Sequence, residues 1–411
     1  MSFLESLLLL TGCTVALGIL ITLSRSLGLV TTVLTAGLGL LLARDALLLL
    51  AALCFLMTLG AGRQLMPNRR PSRTLDHFDR LRQMTQNAFA VAMVVIAIQY
   101  GLYAMQMEAG SVWLTRPSVV DIYLPVTAGI SLRAWVEQGV LDHQHPAALV
   151  MFLALMASAL VTKRAFCSWI CAVGFISELI YRRGHKAVKS GIRIPNWLDS
   201  GLRMTKYGVL IWLLTLVLEI PSIELASYLD SDKHLMADLS MWKQFTHPNV
   251  VMMVLLAMLL LLSVVKRNAF CRYFCPYGAL MGALSLLSPF KIRRDRATCL
   301  RESEGKDCSK CHQACPSQIP VHRLDTVNVD ECHACHRCAQ ACPQKGALTL
   351  SLPGRYLPLK PSVILFMLLM FVAVVPLLSY LSGYWQSSTP EQIRQSILPQ
   401  LETLTLLPEA E

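Results

Sequence analysis

The sequence predicts a mainly α, polytopic helical membrane protein of about eight spans. A pseudo-symmetric pair of Cys-x-x-x-Cys repeats lies within it, and a small α+β domain is inserted before the last span. Three observations lead there. Hydrophobic residues make up 54% of the 411 residues and charged residues 15%, and the mean hydropathy is +0.50; ordinary soluble domains are about 25% charged. Apolar runs of spanning length recur along the chain. Twelve of the fourteen cysteines, from Cys167 onward, fall in short-spaced groups.

A transmembrane helix needs about 20 mostly apolar residues. Residues 4–23, 27–43, 46–62, 86–105, 147–163, 206–220, 249–265 and 361–381 meet or approach that length, with Arg44-Asp45 dividing the second from the third. The first stretch lacks a basic n-region and a small-residue cleavage site, so it reads as a retained span. Basic segments at 63–83, 181–193 and 291–296 place those loops on the cytoplasmic side. Residues 106–146 and 221–248 then lie outside, the second with Glu224, Asp230, Asp232 and Asp238. The net charge of +11 therefore reports orientation and does not call for nucleic acid. The expected organisation is a transmembrane extension with a basic loop (1–83), a core with duplicated motifs (84–289), a cysteine domain (290–357), and a last span with a motif-free tail (358–411).

The duplication is explicit. Residues 145–179 and 247–284 both run His-Pro, apolar span, Lys-Arg, Phe-Cys, three residues, Cys, two residues, Gly. Repeats of this kind mark membrane folds whose functional site lies between the halves. A residue before proline avoids helical geometry and proline suits the first helical position, so Cys275 should sit at a break with Pro276 opening a new helix. Helix N-termini and the neighbouring Lys163, Arg164, Lys266, Arg267 and Arg272 favour thiolates. One pair supplies two ligands; Cys167, Cys171, Cys271 and Cys275 together would hold one iron–sulfur cluster, 2Fe–2S or 4Fe–4S. Buried free thiols or a reversible dithiol relay are the alternatives.

The remaining eight cysteines carry the stronger signal. Cys332, Cys335, Cys338 and Cys342 have the C-x-x-C-x-x-C-x-x-x-C-P spacing of bacterial ferredoxins, in which the fourth cysteine reaches the other cluster of a pair. The partner half offers Cys308, Cys311 and Cys315, with Gly305 where a ligand is expected, so Cys299 is the candidate replacement. The assignment is Cys299, Cys308, Cys311 and Cys342 on one 4Fe–4S cluster and Cys332, Cys335, Cys338 and Cys315 on the other. Without Cys299 the first would be a three-cysteine site. Structural zinc fits this spacing poorly. His312, His333 and His336 lie between the ligands and are expected to face solvent. No dinucleotide fingerprint and no P-loop is present. The chemistry expected is one-electron transfer, and no catalytic residue is assigned.

The doubled F-C-x-x-x-C edge followed by the ferredoxin-type run resembles the membrane polyferredoxins related to NapH, NosR and YccM, over roughly residues 80–381. The stretch RPSVVDIYLPV (116–126) resembles that group's R-P-x-x-V-E-x-F-L-P, with Asp121 and Tyr123 substituted, and Ala172 stands where the family usually has proline. The resemblance implies electron transfer in a bacterial inner membrane between the quinone pool and a protein partner, such as a respiratory reductase or its assembly machinery. Arg116, Asp121, His143, His145 and His247 are the outer residues available to a quinone head group, His145 and His247 at matching repeat positions. A b-type haem between histidines is a further candidate. Rival functions are a copper reductase or metalloenzyme maturation factor, with MMVLLAM (252–258) as a copper lure, and a redox-sensing regulator.

Overall fold

The computed structural model describes residues 74–188, 195–352 and 361–400. The spans expected at 4–23, 27–43 and 46–62 lie outside the described residues.

Helix α1 (Thr74–Glu108) carries the apolar run expected at 86–105 and stops before Gly110, whose φ of +76° suits a residue without a Cβ. Pro117 then opens a 3-10 turn, Ser118–Tyr123. Helix α2 (Pro125–Gln138) begins with proline at its first turn and ends at the left-handed Gly139. Next come α3 (Pro146–Thr162), the five-residue α4 (Ala165–Trp169), α5 (Ala172–Val188) and α6 (Asn196–Glu219). Two short helices, α7 (Leu225–Leu229) and α8 (Asp232–Leu235), lead into α9 (Ala237–Thr246) and α10 (Val250–Val265). The second repeat closes with α11 (Ala269–Tyr273) and α12 (Pro276–Ser285).

The cysteine-rich segment forms a three-stranded antiparallel sheet of order β2-β1-β3 with three short helices. Its strands are β1 (Lys291–Arg294), β2 (Thr326–Val327) and β3 (Leu348–Ser351), with Ile292 opposite both Val327 and Leu350. The helices are α13 (Leu300–Ser303), α14 (Lys310–Ala314) and α15 (Arg337–Ala341). The chain ends in α16 (Pro361–Leu369), a π-turn at Met370–Val374, α17 (Val375–Leu381) and α18 (Glu391–Ile397). One apolar core runs from Phe89 and Ile96 of α1 through Leu365 and Leu368 of α16 to Ile292, Val327 and Leu350 of the sheet.

Among the described residues, Arg82–Glu108, Trp197–Glu219 and Ser362–Leu381 are long and apolar enough to cross a membrane. A fourth span exists if α9 and α10 count as one, although they meet at 74°. The bend falls at His247-Pro248, where Asn249 caps α10 by accepting the Met252 N–H at 2.8 Å. The run expected at 249–265 is thus one arm of a bent pair. That at 147–163 is the shorter apolar helix α3. Ile211, Trp212, Leu214 and Leu218 of α6 are exposed, as are Val250, Val251, Val254 and Leu261 of α10. These apolar faces fit a bilayer solvent.

Candidate functional site

The two Cys-x-x-x-Cys edges fold alike. The amide of Cys171 donates to Phe166 O and that of Cys275 to Phe270 O, each at 3.0 Å, closing the short helix before the second cysteine. The chain then breaks. Cys275 is extended (φ −72°, ψ 115°), and its sulfur accepts the Gly278 amide at 3.3 Å as α12 begins. Cys171 lies in the matching gap before α5 and its sulfur accepts the amides of Val173 and Gly174. Ala172 therefore supports the break as Pro276 does, because the orphan amides of the next helix find the thiolate.

The glycine two residues on has a steric reason at both edges. A Cβ on Gly174 would stand 2.6 Å from the Cys167 carbonyl, and one on Gly278 would stand 2.9 Å from that of Cys271. The same Gly174 Cβ would be 3.9 Å from the Cys271 sulfur, so the edges face each other. All four thiols interact electrostatically. Burial first, then Cys167, pushes the Cys171 thiol up to about 12. Burial and Cys167 push Cys275 up to about 11, against the Gly278 amide and Arg164. Held as thiolates, four such crowded sulfurs would need a cationic core, of the kind iron would supply.

The other eight cysteines ring two cavities. Cys315, Cys332, Cys335 and Cys338 line one, together with Ile292 and Val327 of the sheet. Cys299, Cys308, Cys311 and Cys342 line the other, so Cys299 reaches the place the spacing left open. Among the described residues, no three His, Cys, Asp or Glu side chains converge on a single metal ion. Four thiolates on one zinc stand about 4 Å apart; an iron–sulfur core takes each thiolate on a different iron and needs a wider ring. The donor sets fit clusters better than zinc. His333 and His336 are buried and line the first cavity, not solvent, because the Cys332–Cys338 loop folds inward over it. His312 is half-buried, its Nδ1 3.0 Å from Ile319 O.

Buried cations join the edge thiols to the first cavity. Lys163 Nζ donates to Val327 O at 3.0 Å, and Arg164 Nη1 to Asp330 O at 3.0 Å. Ser168 Oγ donates to His333 O at 2.9 Å, and Lys206 Nζ to the Asp330 carboxylate at 2.6 Å. From the second repeat, Arg272 reaches Ser317 O at 2.8 Å and Asp199 at 2.8 Å.

The outer candidates separate into two groups. Arg116, Asp121 and His145 converge: Arg116 Nη2 bonds Asp121, and His145 Nδ1 lies 3.1 Å from each of them. His145 Nε2 faces the His234 carbonyl at 2.9 Å and so carries a proton there. Burial opposes the Asp121 carboxylate, but Arg116 and then His145 outweigh it and hold its pKa below the usual range. His143 and His247 are exposed and stand outside this network. Its other members carry no sequence motif. Arg116 Nε reaches Asp238 at 2.5 Å, and Arg394 of the tail reaches the same carboxylate at 3.5 Å. His234 Nε2 lies 2.8 Å from Asp142, which also accepts the amides of Gln144 and His145. Buried Arg116 Nη1 and Asp121 Oδ2 have no partner among the described residues. The network and the edge thiols approach through the turn between them: Tyr277, two residues after Cys275, donates to Ile122 O at 3.1 Å.

A family model described as a 4Fe-4S binding domain matches residues 144–190 and 246–295, the two repeats. YccM of Escherichia coli K12, provisionally named an electron transport protein, is 35% identical over 327 residues, covering 78% of this chain and 90% of YccM. The regulatory protein NosR of Pseudomonas aeruginosa is 26% identical over 193 residues, 46% of this chain and 25% of NosR. The protein NirI of Paracoccus denitrificans is 28% identical over 167 residues, 41% of this chain and 23% of NirI. No solved structure gives a significant match.

Proposed function

The chain belongs to the iron–sulfur electron-transport family related to YccM and NosR, and on that premise we propose that it relays electrons between the quinone pool and a protein partner. One observation carries this reading: the four edge thiols, drawn from two repeats, adjoin Lys163 and Arg164, which donate to the Val327 and Asp330 carbonyls beside the cavity of Cys315, Cys332, Cys335 and Cys338. When bound, iron–sulfur clusters would supply one-electron carriers at the three thiol sets. The Cys332 set stands next to the edge set, while the Cys299 set lies beyond it, beside the exposed Glu302–Asp307 loop where a partner has access. On the cytoplasmic side of an inner membrane, that loop would meet a soluble or membrane-attached partner.

At the other end of α3, Arg116 and Asp121 offer an unpartnered donor and acceptor to a quinol head group. A quinol that loses two electrons also loses two protons. His145 stands beside that donor and acceptor, its Nδ1 3.1 Å from Arg116 Nη2 and from Asp121 Oδ1. The test is quinol-dependent bleaching of the cluster absorbance in lipid-reconstituted protein. Bleaching by menaquinol or ubiquinol is expected; none with either quinol overturns the relay. A redox-sensing regulator is the second reading, favoured by the likeness to NosR. A sensor would bleach once without passing electrons to a second acceptor.

A further inference from the structure

Arg164 is 1% exposed, yet no carboxylate among the described residues lies within salt-bridge distance of it. Its Nη2 donates to Cys271 O at 3.3 Å and its Nη1 to Asp330 O at 3.0 Å, both carbonyls, and its Nε has no partner among the described residues. The Asp330 carboxylate is already engaged by Lys206 at 2.6 Å and Tyr207 at 2.7 Å. Gly278 of α12 makes room for the guanidinium, since a Cβ there would stand 2.8 Å from Nη2; one turn on, a Cβ on Gly282 would crowd the Asp330 carbonyl at 3.2 Å, to which Nη1 donates. A buried cation without a counter-charge is strongly unfavourable; the groups that favour its charge here are the sulfurs of Cys167, Cys271 and Cys275 first, and after them Asp330, whose carboxylate is shared with Lys206 and Tyr207. The second repeat has no equivalent: Arg267 stacks on the Tyr181 ring at 5.0 Å.

We infer that Arg164 sets the reduction potentials of the groups held by the edge thiols and by the Cys332 cavity, and holds the two sites together. This deepens the relay reading and takes from it that the thiols carry iron–sulfur groups. Each reduction adds one electron from the donor and makes the held group one unit more negative. A guanidinium does not titrate in this range, so its fixed charge favours the reduced state and no proton moves with it.

Redox titration of the full-length, cluster-loaded protein, followed by electron paramagnetic resonance, tests this. Arg164→Gln should disfavour one-electron reduction of the edge group at least tenfold, a downward shift of about 59 mV. The Cys332-site group should shift less in the same direction, and the Cys299-site group should not shift. Arg164→Lys should recover most of the shift, and Arg267→Gln should leave all potentials in place. Wild-type potentials in Arg164→Gln with full iron content overturn the proposal. If that variant loses iron, Arg164→His decides: its edge potential should fall as pH rises through the imidazole range, whereas the wild-type potential should not. An edge potential in Arg164→His that follows pH no more than the wild type also overturns the proposal. Iron counting separates the premise: about eight irons per wild-type chain, not ten or twelve, would defeat the edge site, and the Cys332-site titration would then decide the role of Arg164 alone.

Discussion

The two repeats share a motif but not an environment. His145 and His247 precede the same proline, yet His145 is fully buried in a network of charges and His247 is exposed at a bend. Lys163 and Arg164 are buried beneath the Asp330–His333 loop, whereas Lys266 is half-buried and reaches the Gln318 side chain at 2.6 Å. The difference lies in what covers each repeat. The first is covered at one end by the Ser118–Tyr123 turn, the Asp232–Asp238 segment and the tail, and at the other by the cysteine domain. The second presents α10 outward. Symmetry is kept where ligands are needed and lost where partners are chosen.

The largest expected effect tests the part that stayed symmetric. Cys271→Ala and Cys167→Ala should each remove the whole edge group, about two to four irons per chain, and leave the iron of both cavities in place. Loss from only one of the two variants would break the equivalence of the repeats. Next, His145→Ala should cost about 3 kcal/mol in detergent unfolding, because it strips a partner from the buried Asp121 carboxylate. His247→Ala should stay within about 0.5 kcal/mol. Lys163→Met should cost about 1–2 kcal/mol by orphaning the Val327 carbonyl, and should raise hydrogen exchange over residues 326–333. Lys266→Met should cost less than about 1 kcal/mol. The smallest effect is Ala172→Pro, which makes the first edge like the second. It should stabilise by about 0.5 kcal/mol with iron content unchanged, and iron loss would mean that the Cys171 break depends on the Ala172 amide, which proline removes.

Legibility in the sequence followed distance along the chain. The short-spaced cysteines, the break at Cys275 and the glycine after each pair are local, and their spacing carries the reason for them. The gathering of Cys299 with Cys342 was readable only because every nearer position lacked a thiol. His234, Asp142, Asp238 and Arg394 were not readable, because their partners come from segments far apart and no periodicity links them. A signal did exist: charged residues in short loops between apolar helices, and an arginine in a tail that otherwise held nothing, are costly to bury alone. The inward turn of His333 and His336 had no local cue, since loops between cluster ligands face either way depending on what packs above them. The bend at His247-Pro248 was marked by its proline, but its sense depends on α5, against which α10 rests.

The facing of Cys171 and Cys271 also constrains how the protein is made. Their sulfurs come from segments separated by roughly a hundred residues, and the entropic cost of closing such a loop grows only slowly with its length. Synthesis order matters more. The first pair emerges from the ribosome well before its counterpart, and until then Cys167 and Cys171 are two bare thiols at a chain break, open to oxidation. A group held by all four edge thiols would therefore have to wait for the second repeat, and a delay in translation between residues 171 and 271 would become a window for damage.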